Sequence, residues 1–113
     1  MPSEPTAPDA DAADLLWTPP PDVRETTRIG AFLRFLERER GLRFPGPDTY
    51  GQLWEWSVSD LAGFWSAVWE HFEVRSTTPY DAVLPVADLP GARWFPGARL
   101  NYAEHALRGP AGP

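Results

Sequence analysis

The sequence predicts a small, mostly α domain with irregular Pro/Gly-rich loops and a disordered N-terminal tail. Three observations point there. Apolar residues recur at i, i+3, i+4 and i+7 in two stretches, the spacing of one face of a helix. Fourteen Pro and nine Gly punctuate the chain around those stretches. The remaining apolar segments are short and do not alternate well enough to read as strands.

Within 113 residues one domain is expected, able to bury roughly two thirds of its unfolded surface. Aromatic residues make up 13% of the chain, six of them Trp, so large side chains are at hand to fill a core. With no Cys there is neither a disulfide nor a thiolate metal site. Glu4, Asp9, Asp11 and Asp14, with no base among them, account for most of the net charge of −6. An acidic tail on a near-neutral body argues against a nucleic-acid partner, which needs a basic face. The sequence shows neither a membrane-length apolar run nor a signal peptide, so no membrane partner and a cytoplasmic location are expected. All ten basic residues are Arg.

Taken in order, residues 1–14 are Pro, Ala and acid, too poor in large apolar side chains to offset ordering, and read as a disordered acidic tail. Leu15, Leu16 and Trp17 form the first apolar cluster and should dock on the body. Three prolines (19–21) follow, stiff and extended, the last suited to open a helix. A single helix is predicted over 22–40, with Ile29, Phe32, Leu33 and Leu36 inward, Phe35 flanking and Gly41 as the C-cap. Asp48 should cap a second helix over 49–56, with Tyr50, Leu53 and Trp54 inward and Gly51 weakening it. Ser57-Val-Ser-Asp60 reads as a capping box for a third helix over 60–72. Its wide stripe of Leu61, Phe64, Trp65, Val68, Trp69 and Phe72 marks it as the centre of the core. Segments 80–86 and 92–95 are short and extended at best. Pro96-Gly97 is a turn, and Asn101 caps a last helix over 102–108, with Glu104 as capping-box partner and a stop at Gly109-Pro110.

Side chains that carry chemistry are sparse. His71 and His105 have no Cys or second His nearby, and a structural role outweighs a ligand or base role for both. Glu37, Glu39, Glu55, Glu70 and Glu73 fall on polar helix faces, where solvation explains them. No Ser sits in a nucleophile turn, and no Lys follows a Gly-rich loop. The tryptophans at helical spacing, Trp54, Trp65 and Trp69, read as core. Trp56 and Trp94 are less clearly inward and, if exposed, mark a contact face. Arg93 and Arg99 flank the Pro-Gly turn and suit a carboxylate or phosphate, or acids on a neighbouring domain; the neighbour is favoured.

The stretch Trp94-Phe-Pro-Gly-Ala-Arg-Leu-Asn-Tyr-Ala-Glu104 resembles the segment that closes the N-terminal domain of short-chain acyl-CoA synthetases, the adenylate-forming ligases that include acetyl-CoA synthetase. Tyr102-Ala-Glu104, Leu16-Trp17-Thr-Pro, Trp54-Glu-Trp-Ser57, Gly63-Phe-Trp65 and Val68-Trp69 look like the acetoacetyl-CoA synthetase branch. One departure is His105, where that branch leads one to expect Asn. The resemblance implies a helical N-terminal domain over 15–108 and a truncated linker over 109–113. It also implies a partner, the catalytic α/β body of the same ligase, in fatty acid and lipid metabolism. ATP, Mg and CoA are implied for the whole enzyme and none for this chain. The family's phosphate loop and its C-terminal domain each bring a Lys, and this sequence has none, so no catalytic, cofactor-binding or metal residue is assigned.

Two functions from different classes follow. One is a ligase N-terminal domain that packs on a catalytic body and is not catalytic alone. The other is a free-standing helical interaction module using exposed aromatics such as Trp56, Trp94 and Phe95. A small hydrolase built on His71 or His105 ranks third.

Overall fold

A computed structural model describes residues 14–109; the expected disordered tail before Asp14 and the expected linker beyond Gly109 lie outside that range. Five helices form among the described residues: α1 (Val23–Thr26), α2 (Arg28–Arg40), α3 (Thr49–Ser59), α4 (Leu61–His71) and α5 (Tyr102–Leu107). Helix α2 packs on α1 and α4, and α3 packs on α4. Phe32, Phe35, Leu36, Leu53 and Ala67 are the buried core, with Leu36 fully enclosed. The centre of the core is therefore α2, not the third helix of the sequence reading. The mostly helical class stands as predicted.

The single helix expected over 22–40 is two. Thr27 takes an extended backbone (φ −104°, ψ 162°) and starts a new helix, its Oγ1 accepting from the Gly30 N–H at 3.1 Å while donating to the Val23 carbonyl at 2.5 Å. The Arg34 guanidinium donates to the Arg24 carbonyl at the end of α1. Gly30 makes the corner possible, because a Cβ there would meet the Val23 carbonyl oxygen at 2.6 Å and overlap that of Arg24. The turn of α2 also differs: Phe35 is buried and Ile29 is 43% exposed. Gly41 ends α2 in the left-handed region (φ 64°), as expected.

Helix α3 runs past Trp56 to Ser59. Leu53 is inward, but Tyr50 and Trp54 are exposed, correcting two of three expected core positions. Trp56 turns in instead, its ring 5.9 Å from Phe44 and 5.6 Å from Phe64. The Ser57 capping box does not form. Ser57 and Ser59 sit in the last turn and donate their hydroxyls back to the Trp54 and Glu55 carbonyls, so neither caps the next helix. Asp60 caps α4, accepting from the Gly63 N–H at 3.0 Å, as Asp48 caps α3 through Gly51. Helix α4 ends with Glu73 at φ 51°, the Val74 N–H reaching the Trp69 carbonyl and the Glu73 N–H that of Glu70. That is a Schellman stop with a side chain where glycine is usual.

Beyond α4 the chain doubles back without a ladder. The Thr77, Asp81, Phe95 and Arg93 N–H groups donate to the Arg99, Pro96, Val83 and Val86 carbonyls, at 2.8–2.9 Å. Among the described residues two isolated antiparallel bridges result, Thr78 with Arg99 and Val86 with Arg93. Pro79, Pro85, Pro90 and Pro96 have no N–H to extend them. The Pro96-Gly97 turn is present, with Gly97 at φ 90° and the Ala98 N–H on the Phe95 carbonyl at 3.2 Å, a type II arrangement. Asn101 caps α5 through the Glu104 N–H at 3.3 Å. Among the described residues no helix is long and apolar enough to cross a membrane.

Candidate functional site

The wide aromatic stripe of α4 serves two partners on different sides. Toward α2 and α3, Phe64 meets Phe32 (6.1 Å) and Trp56 (5.6 Å) edge-on. Toward the returning segment, Trp69 packs between Phe95 (4.5 Å) and Tyr80 (5.1 Å), with Phe95 and Tyr80 also in contact. Between these sides lies Trp65, edge-on to Phe64 at 5.2 Å and to Trp94 at 5.7 Å. An unbroken run of rings thus leads from the core to the surface. Its outer end, Trp65 and Trp94, is 39% and 46% exposed.

Those two indoles are the candidate site. Each is fixed on its inner side by a ring, and each leaves an edge open to solvent. Rigid aromatics with few torsions suit a binding surface, since little side-chain freedom remains to be lost. Further large apolar side chains are exposed toward the C-terminal end, including Phe72, Leu100, Tyr102 and Leu107. So much apolar surface beside a five-residue core is what a docking element shows.

The other candidates fall into place around it. Trp56, an open question in the sequence, is packed against Phe44 and Phe64, while Trp94 is the exposed one. Trp65, read as core, belongs to the exposed pair instead. The available signal was the width of the α4 stripe, which exceeds what one neighbouring layer can cover. Arg93 and Arg99 contribute backbone to the two bridges, and neither forms an ion pair among the described residues. Glu37, Glu39 and Glu70 pair with Arg43, Arg38 and Arg40 at 2.7, 2.9 and 2.7 Å. His71 packs its ring against Phe32 and Phe35 at 5.2 and 5.0 Å. Burial, and then the Arg38 charge, lower its pKa below the usual imidazole value. His105 is held by two hydrogen bonds, to the Arg75 N–H and the Asn101 carbonyl.

Two clefts stand out among the described residues. An apolar groove of about 460 Å³ between α1, α2 and α3 is lined by Val23, Ile29, Leu33, Pro47, Tyr50 and Leu53, with Trp17 at its edge. Its polar neighbours are committed. Arg24 donates to the Phe44 carbonyl and Thr49 Oγ1, Thr27 donates to Val23, and Asp48 caps α3. A smaller cleft of about 190 Å³ contains the paired Glu37 and Arg43. Among the described residues no cluster of three or more His, Asp or Glu is placed to hold a metal.

Residues 50–106 match the family model described as acetyl-coenzyme A synthetase N-terminus, half of the chain. The acetoacetyl-coenzyme A synthetase of Rhizobium meliloti is 36% identical over 93 residues, 82% of this chain and 14% of that protein. The acetoacetyl-CoA synthetase of Gallus gallus is 32% identical over 105 residues, 89% of this chain and 15% of that one. The solved acetoacetyl-CoA synthetase from Streptomyces lividans is 46% identical with a TM-score of 0.75, covering 85% of this chain and 15% of that structure. The chain therefore spans about one seventh of the length of the relatives it matches.

Proposed function

The chain belongs to the family of acetyl-coenzyme A synthetase N-termini, and from that premise we propose that it is the N-terminal domain of an acetoacetate–CoA ligase. It packs against a catalytic α/β body and has no chemistry of its own. The whole enzyme joins acetoacetate to ATP, releasing pyrophosphate, and then passes the acyl group from AMP to the thiol of CoA. Magnesium offsets the phosphate charge during the first step. No residue of this chain is assigned to ATP, magnesium or CoA. The reaction belongs to fatty acid and lipid metabolism and takes place in the cytoplasm.

The observation that carries this reading is the Trp65–Trp94 pair, anchored inward and open outward, within a chain similar to a small part of three acetoacetyl-CoA synthetases. A free-standing interaction module would also expose such rings; the ligase reading is favoured because the chain is similar to only about one seventh of each longer synthetase.

The test is acetoacetate-dependent exchange of pyrophosphate into ATP. The isolated chain should show none. The Streptomyces lividans enzyme, with its matching segment replaced by this chain, should retain exchange. Exchange by the isolated chain would overturn the claim that it is catalytically empty. A well-folded but inactive chimera would overturn the assignment to this ligase.

A further inference from the structure

His105 joins two parts of the chain that the helices leave unconnected. Among the described residues helix α5 packs on no other helix, and its first turn is capped by Asn101. The His105 ring supplies a tie outward. Its Nε2 lies 2.8 Å from the backbone nitrogen of Arg75, in the segment leaving α4, thirty residues away. Its Nδ1 lies 3.0 Å from the Asn101 carbonyl at the start of α5.

The partners settle the tautomer. A backbone N–H only donates, so Nε2 must accept; a carbonyl only accepts, so Nδ1 must carry the hydrogen. Both requirements are met by one neutral form. The other neutral tautomer sets N–H against N–H at Arg75, and so does the protonated ring.

We propose that His105 is a positioning residue, a latch that in its Nδ1–H form holds α5 against the segment leaving α4. This rests on the ligase reading above, since it gives the latch its purpose: α5 follows the Pro96-Gly97 turn beside Trp94, and holding α5 keeps that stretch in place to meet the body. The charged groups on the two elements it joins are Glu73 and Arg75 on one side and Glu104 and Arg108 on the other. None forms an ion pair among the described residues; the other ties between these segments are the Thr77 N–H and hydroxyl on the Arg99 carbonyl, two residues before Asn101 and not within α5 itself.

The test uses the intact chain, the Streptomyces lividans chimera, and two variants. His105→Gln keeps a neutral acceptor near the Nε2 position; His105→Leu keeps bulk without one. Nitrogen shifts of the His105 ring should show hydrogen on Nδ1. The Arg75 amide should exchange slowly in the parent and in His105→Gln, and about tenfold faster in His105→Leu, as for loss of one hydrogen bond. The Ala67 amide in the core should not change, which separates local release from unfolding. In the chimera, His105→Leu should lower kcat for exchange and His105→Gln should restore it. Hydrogen on Nε2, or equal Arg75 exchange in all three chains, would overturn the latch. A chimera inactive with His105 in place would overturn the ligase reading and leave the amide result to stand.

Discussion

The ring of Phe95 lies 4.5 Å from that of Trp69, tilted by 31°, while the Phe95 backbone occupies the left-handed region at φ 45°. A bulky residue is strained there by about 1–2 kcal/mol. The stack on Trp69, with Tyr80 at 5.3 Å on another side, offsets that strain and fixes the turn that places Trp94. Phe95→Ala should cost about 2 kcal/mol in urea unfolding, through the lost ring contacts. Phe95→Gly should be no less stable than Phe95→Ala, since glycine adopts this backbone freely. A glycine variant about 1 kcal/mol worse than alanine, as in an ordinary helix interior, would show that the backbone is unstrained.

Glu73 provides the converse. It holds the left-handed position at the end of α4 (φ 51°) with no hydrogen bond to its side chain, so the strain there has no ring stack against it. Glu73→Gly should raise stability by about 1 kcal/mol. A loss on thermal or urea unfolding would contradict the Schellman reading of this stop.

Two glycines near helix starts should behave differently. At Gly30 an added methyl meets the Val23 and Arg24 carbonyls, which cannot move without opening the α1–α2 corner. Gly30→Ala should cost about 2–3 kcal/mol. At Gly51 the obstacle is only the Asp48 carboxylate, which can rotate away. Gly51→Ala should therefore lose at most about 1 kcal/mol of cap, offset by the better helix propensity of Ala. Equal losses in the two variants would show that the corner is not held by close packing at Gly30.

His71 makes stability depend on pH. Its native pKa lies below the ordinary value of 6.5, first through burial and then through Arg38. The native state thus binds fewer protons than the unfolded chain between those two values. Its stabilising share is complete above about pH 6.5 and falls as acid carries the pH down through the lowered native pKa. His71→Leu should flatten the unfolding midpoint against pH across that window. An unchanged slope would mean that the ring is not sheltered by Phe32 and Phe35.

Much of this was legible in the sequence, for local reasons. Asp48, Gly41, Asn101 and the Pro96-Gly97 turn work through hydrogen bonds and backbone angles within a few residues, which sequence displays directly. Relations set by distant packing were harder to see. Thr27 breaks a helix that periodicity runs straight through, because the preceding turn must fold back onto Gly30. Tyr50 and Trp54 look inward by composition, yet the turn of α3 is decided by Phe44 and Phe64 meeting Trp56. At the candidate site Trp94 was visible as doubtful, whereas Trp65 was not, since its inner and outer edges are assigned only when the 78–99 segment folds across α4. The His105 latch joins residues thirty positions apart and leaves no periodic trace.

The central claim is that the Trp65–Trp94 edge docks on a ligase body, and calorimetry tests it most directly. The Streptomyces lividans synthetase, shortened by the segment this chain matches, would be titrated with the chain. One-to-one binding with a negative heat-capacity change is expected, weakened about thirtyfold or more by Trp94→Ala, as for an aromatic at the centre of an interface. A well-folded body that ignores the chain, or that binds the parent and Trp94→Ala equally well, would contradict it.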